Sequence, residues 1–401
     1  MKIRTLPVYM IFLTMGLIDS VGPMVSLAKE SFKISTTIAS LLPMLGYMMY
    51  GLLSIPTGLL QDKKGKKFIM NLGLSIALAG LFIPIISGMS GKMIIDHSSL
   101  SQFYKILAAI LMLGAGGAIL QVSGNPIMRD FSEPGQYSRN LSFAQSFITV
   151  GSSLGFLLPV IMLRAFGLDW SILFPVFAGI VLTGIIWLNM LRIREGNDTD
   201  KHATVRSCFR LLKNSYILIM VVGIFIYCGI EISMSAYVPI LLKEKYNVSV
   251  EKIGLLIGWS LFYLPILSGR FLGAWIMSRI APTRLLLFTV LFSFLGFTLI
   301  FSNSFVLTLF GIFVIGLGFA NIFPLLFSIT IEYMPDHANE LSGLMVSAIT
   351  GGAFIPPVMG VVADGASIQT AFLVPVVCIL YLLFVAVVNN VHVSKNRSII
   401  V

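Results

Sequence analysis

Two carboxylates in this sequence stand where charge is costly. Asp19 lies fifteen residues after Arg4 and ten before Lys29, inside an apolar run, and Glu231 lies in a similar run between Lys213 and Lys243. At about 1.5 Å of rise per helical residue, each falls near the middle of a lipid-spanning helix. An ionised carboxylate there is expensive unless paired or protonated. Burial favours the neutral acid, so either residue suits proton carriage; the competing reading is a carboxyl that ties one helix to another. Glu332 and Asp364 lie near helix ends.

Amides and hydroxyls recur at matching depth. The run GAGGAILQVSGNPIM places Gly114, Gly117, Gln121 and Asn125 on one helical face, with Pro126 weakening the helix below. Gln145, Thr149 and Ser152 share a face of the next helix, Tyr227 stands one turn from Glu231, and Asn321 precedes Pro324. Singly, each is as suited to interhelical hydrogen bonding as to ligand contact. Together they suit a neutral, hydroxyl-rich ligand. Arg270 is the one basic residue inside a span, nine residues from Arg279. Snorkelling toward the interface, or a structural brace to Glu332, is preferred for it over substrate contact. The first half offers no cation to its cavity, which argues against a phosphate ester or dicarboxylate as cargo.

The elements that must position these groups follow from composition. Of 401 residues, 57% are hydrophobic and 11% charged, with a mean hydropathy of +0.95, so lipid is the solvent. Helices are expected at roughly 7–27, 37–61, 68–90, 104–128, 140–163, 169–191, 215–241, 251–278, 284–302, 305–331, 341–362 and 369–391. This is an all-α membrane protein of twelve helices in two six-helix bundles, 1–192 and 215–401, joined by a polar cytoplasmic linker at 193–214. Lys2 and Arg4 open an uncleaved first helix rather than a signal peptide. With both termini cytoplasmic, eighteen Lys and Arg fall on that side against eight on the other. The chain is thus expected in the inner membrane. The net charge of +10 is topological, with no basic face for nucleic acid.

Other chemistry is not indicated. Cys208, Cys228 and Cys378 lack metal-ligand spacing, and His97, His202, His337 and His392 sit at or near helix ends. No nucleophile, base and acid share a depth, so an enzyme, a cofactor and a metal are not expected.

Two patterns organise the whole. LAKESFKIS at 27–35 returns as LLKEKYNVS at 241–249, 214 residues on, each copy following a helix with one buried acid. Such repeats are the architecture of two-bundle transporters. Between helices two and three runs GLLQDKKGKK, in which Gly58, Asp62, Lys63, Gly65, Lys66 and Lys67 fill all six specified positions of the loop signature of the major facilitator superfamily. A worn copy, Ala274, Ser278, Arg279 and Ala281, stands in the second half. The resemblance implies a cytoplasmic gate latch at this loop.

A narrower resemblance runs through most of the chain. QVSGNP at 121–126, AQSF at 144–147, IFIYCGIEIS at 224–233, SGRFLGAWIMSRIAP at 268–282 and SGLMVSAITGGAFIPPVMGVVAD at 342–364 resemble the fucose-galactose-glucose:proton symporters, as do Tyr47 and Tyr50 before Pro56. The resemblance implies uptake of a neutral monosaccharide by proton symport, with Asp19 coupling, Gln121 at the sugar and Tyr47 nearby. The fold is expected to work as a monomer. Gln121 and Ile148 depart from the fucose permease pattern, so the sugar is left open, as is sodium in place of the proton. The alternative is a proton-coupled drug or metabolite exporter. Exporters commonly carry G-x-x-x-G-P in helix five, where this chain has Gly151, Gly155 and then Phe156.

Overall fold

A computed structural model describes residues 6–92, 101–130, 132–133, 136–190, 205–249 and 255–397. Twelve helices in it are long and apolar enough to cross a membrane: α1 Val8–Phe32, α2 Thr36–Gln61, α3 Lys66–Ile86, α4 Ser101–Arg129, α5 Tyr137–Phe166, α6 Trp170–Met190, α7 Ser215–Tyr246, α8 Leu256–Ile276, α9 Pro282–Ile300, α10 Phe305–Tyr333, α11 Glu340–Gly365 and α12 Ile368–Val391. The twelve expected helices are all present, several a turn or more longer. Among the described residues there are no strands. The expected linker falls largely on 191–204, outside the described residues; a short helix, Val205–Leu211, precedes α7. An even number of crossings puts both ends of the bundle's chain on one face, called here the termini face.

Within each half, α3 packs on α4, α1 on α5 and α2 on α4, and then α9 on α10 and α7 on α11. The halves meet through α1 with α7, α2 with α11, and α5 with both α8 and α10. Lipid tails give helices no hydrophobic reason to associate, so close backbone approach must do it. Gly114 is a case in point: a Cβ there would stand 2.7 Å from Gly46 Cα on α2. Large apolar side chains such as Leu52, Phe82, Phe288 and Val377 cover the outer surface, as a lipid-facing belt requires.

Besides short breaks in the first turns of α2 and α12, four helices are interrupted, and proline accounts for three of these four breaks. A proline lacks the N–H that would bond the carbonyl four residues earlier, and its ring crowds that carbonyl. Pro23 frees the carbonyl of Asp19, where α1 stops before restarting at Val21. Pro265 faces Leu261 inside a π-helical stretch, Trp259–Tyr263. Pro324 frees Ala320, beside the break between Phe319 and Ile322 in α10. The fourth break is a 3-10 turn, Ala348–Thr350, in α11. All four lie where the halves meet.

Candidate functional site: a polar cavity between the halves

A small cavity of ≈ 30 Å³ lies there, lined by residues of α2, α4, α5, α7, α8, α10 and α11. Of the residues singled out in the sequence, Tyr47, Gln121, Gln145, Thr149, Ser152 and Glu231 line it. Helical spacing explains this: Gln145, Thr149 and Ser152 follow one face of an unbroken helix, and Tyr47 stacks against Tyr50 on α2 with centroids 5.5 Å apart.

Arg270 also lines the cavity, which corrects the expectation of snorkelling or a brace to Glu332. Its side chain is 4% exposed. Nε donates to Ala320 O at 3.1 Å, the carbonyl that Pro324 leaves without a helical donor. Nη1 crosses to the other half and donates to Gln145 O at 2.5 Å and to Thr149 Oγ1. Nη2 stands 3.8 Å from Glu231 Oε1. Glu332 is instead near the termini-face end of α10, where Arg129 of α4 is the cation acting on it. The wall therefore carries one cation and one anion facing each other.

Three other singled-out residues sit beside the cavity and tie helices together. Gln145 Nε2 donates to Asn125 Oδ1 at 3.4 Å, Tyr227 Oη to Phe319 O at 2.9 Å, and Asn321 Nδ2 to Gly269 O at 2.8 Å. Phe319 O, like Ala320 O, is a carbonyl at the α10 break. Among the amides of this site, two buried polar atoms have no hydrogen-bond partner: Gln121 Oε1 and Asn125 Nδ2. Gln121 Oε1 belongs to a residue of the cavity wall, so a ligand donor could satisfy it.

Asp19 ends the first segment of α1, and its side chain lies outside the described residues. Its neighbour Ser20 donates to Ser152 O at 3.4 Å, so the α1 break abuts the α5 face that lines the cavity. Sequence reasoning missed Ile148, Cys228, Ile232, Tyr263, Phe323 and Ile349 as lining residues. Ile148 falls between Gln145 and Ser152 on the same helix face and could have been found by spacing; Tyr263 and Ile349 follow from the π and 3-10 segments and could not.

In the α2–α3 loop, Gly65 takes φ 81°, a left-handed conformation that glycine adopts freely. Lys67 Nζ donates to Asn189 O at 3.2 Å, and Gly58 approaches Val122 of α4. The Asp62 side chain lies outside the described residues. Lys63 is exposed and Lys66 partly so. Arg279 lies over the Trp275 ring at 4.6 Å, within its own half.

Both faces are shut over the cavity. Toward the termini face, Ser138 Oγ donates to Ser328 Oγ at 2.7 Å and Ser142 Oγ to Asn321 Oδ1 at 3.0 Å, joining α5 to α10. Toward the opposite face, the Thr37 N–H and hydroxyl both donate to Asp364 Oδ2, at 3.0 and 2.6 Å, and Phe156 packs on Tyr263 with centroids 4.9 Å apart. The halves are thus joined on both sides of the cavity. A site of ≈ 30 Å³ holds a water or two, whereas a small-molecule pocket needs about 300 Å³ or more, so the halves must part to admit cargo.

A family model described as Major Facilitator Superfamily matches residues 8–355 and, again, 219–398. The chain is 23% identical over 374 residues to a glucose/galactose transporter of Brucella abortus biovar 1 (strain 9-941), covering 90% of this chain and 88% of that protein. It is 24% identical over 392 residues to the L-fucose-proton symporter of Escherichia coli (strain K12), covering 87% and 84%. Among solved structures, FucP in its outward conformation superposes with a TM-score of 0.75 at 18% identity, covering 97% of this chain and 99% of that one. The human organic anion transporter MFSD10 does so with 0.69 at 18%, covering 96% and 99%.

Proposed function

The chain belongs to the major facilitator superfamily and is a multi-pass membrane transporter rather than an enzyme, and on that premise we propose that it takes up a neutral monosaccharide by proton symport. The observation that carries the reading is the charge balance of the cavity wall. Arg270 faces Glu231 at 3.8 Å, which leaves no free cation among the lining residues for an anionic cargo. The remaining polar lining is amide and hydroxyl, and Gln121 Oε1 lacks a donor that a sugar hydroxyl supplies. Tyr47, Tyr263 and Phe323 offer ring surfaces to the apolar C–H face of a pyranose. Relatives named for glucose, galactose and fucose point the same way.

Transport proceeds by alternating access. The bundles up to about residue 192 and from 215 onward, joined by 193–214, rock about the cavity, and the α2–α3 loop with Arg279 gates the termini face, which is cytoplasmic. Asp19 takes a proton from outside, favours sugar binding in its neutral form and releases the proton inside. Glu231 holds Arg270 and shares in coupling, because protonating it frees the guanidinium. The protein works as a monomer in the inner membrane.

The test is proton flux in proteoliposomes across a panel of neutral monosaccharides. Symport requires one sugar to drive protons in its own direction and to accumulate against its gradient. Proton movement in the opposite direction would mean export by antiport, and accumulation tied to sodium would replace the proton as driving ion; silence across the panel would sink the sugar reading.

A further inference from the structure

α1 and α7 end alike. Lys33 and Asn247, 214 residues apart, close the two helices in the left-handed conformation, at φ 52° and 56°. They are the only non-glycine residues with positive φ among the described residues. One turn earlier, Lys29-Glu30 and Lys243-Glu244 occupy matching places in the repeat. Lys29 Nζ stands 2.8 Å from Glu244 Oε1, and Lys243 Nζ stands 2.5 Å from Glu30 Oε1.

The pairing is reciprocal: the lysine of each half meets the glutamate of the other. Exchanging the halves maps one pair onto the other, as a contact across a two-fold axis requires. Beneath the pairs the helices touch, because a Cβ on Gly22 of α1 would stand 2.7 Å from Ser235 Cβ of α7. Above them opens a cleft of ≈ 450 Å³ that all four charged residues line, together with Lys33. The pairs are part exposed, with side-chain exposures between 24% and 50%, so water and salt reach them.

We propose that Lys29, Glu30, Lys243 and Glu244 form a symmetric ionic latch that holds the face opposite the termini shut, and that breaking it is the step that opens the cavity to that face. The chemistry suits a reversible gate. An exposed ion pair contributes little by itself, and two acting together bias an equilibrium without locking it. Neither pair touches the cavity wall, so the latch sets which face is open and leaves cargo choice to the site. The inference rests on the alternating-access reading but not on the identity of the cargo.

Cys228 lines the cavity, and Cys208→Ser with Cys378→Ser leaves it the sole thiol of the chain. The test is its labelling by a membrane-impermeant maleimide applied from the face opposite the termini, with no sugar present. Lys29→Glu sets two carboxylates against each other and should speed labelling about tenfold. The swap Lys29→Glu/Glu244→Lys restores opposite charges and should return the rate to within about twofold of the background, and a thermal midpoint of Lys29→Glu close to the background shows that the single variant folds. Wild-type pairs in 1 M salt, where the screening length falls to about 3 Å, should label severalfold faster. Lys29→Glu labelling no faster than background, or the swap labelling as fast as the single variant, overturns the latch. Because sugar is absent, a failed transport panel with these labelling rates intact removes only the cargo assignment.

Discussion

Removing one member of the Arg270–Glu231 pair is the sharpest perturbation the cavity offers. Glu231→Gln keeps the size and an acceptor oxygen but deletes the charge that faces a guanidinium only 4% exposed. At 3.8 Å, with an effective dielectric of about 20, the attraction lost is about 4 kcal/mol. Breaking one side of a buried pair costs about 3–5 kcal/mol by experience, which agrees. Arg270→Leu strands the carboxylate instead, and also removes the donors to Ala320 O, Gln145 O and Thr149. The double variant should therefore be more stable than the two single losses added together, by about 2 kcal/mol. The three buried cysteines make the assay direct, since a thiol-reactive dye fluoresces as they are exposed on heating. For a chain of this length, about 1 °C of midpoint corresponds to 1 kcal/mol, so Glu231→Gln should melt about 3–5 °C lower in detergent. Single losses that add within about 0.5 kcal/mol would show that the two groups do not sense each other, and the charge-balance argument for a neutral cargo would fall with them.

Asp19→Asn should abolish proton-driven accumulation while leaving sugar exchange between two loaded sides intact; accumulation against a gradient by this variant would move the coupling proton elsewhere. Gln121→Leu deletes the acceptor that lacks a donor, and should raise the KM of the best sugar about tenfold, the worth of one or two hydrogen bonds, with kcat little changed. Gly114→Val forces α4 away from Gly46 and should cost about 1–3 kcal/mol or more by thermal shift. Gly179→Val, where a Cβ meets nothing within 4 Å, serves as the control expected to melt near wild type.

The helix count, the repeat and the α5 face were legible because each depends on local periodicity: apolar length sets the spans, and an unbroken helix keeps Gln145, Thr149 and Ser152 on one side. Arg270 was misread for a non-local reason. Its depth along α8 pointed to the near interface, but its direction is set by Ala320 on α10, freed by a proline, and by Gln145 on the other half. Nothing within the α8 sequence encodes those acceptors. Tyr227 and Asn321 sit at the right depth, yet their polar atoms are spent on neighbouring helices, and Asn125 gives its Oδ1 to Gln145. Tyr263 eluded counting because the π stretch at 259–263 rotates every later residue away from its 3.6-residue position. Likewise, the lysine-glutamate repeat announced symmetry, but only the packing of α1 on α7 turned equivalent residues into partners.

The closed cavity also bears on insulation. With hydrogen-bonded layers above and below it, a space of ≈ 30 Å³ has room for a water or two. On the alternating-access reading proposed above, a proton would cross as a passenger bound to a side chain that changes sides. On that reading a membrane crowded with such proteins would keep its voltage, each copy being a dielectric plug rather than a wire.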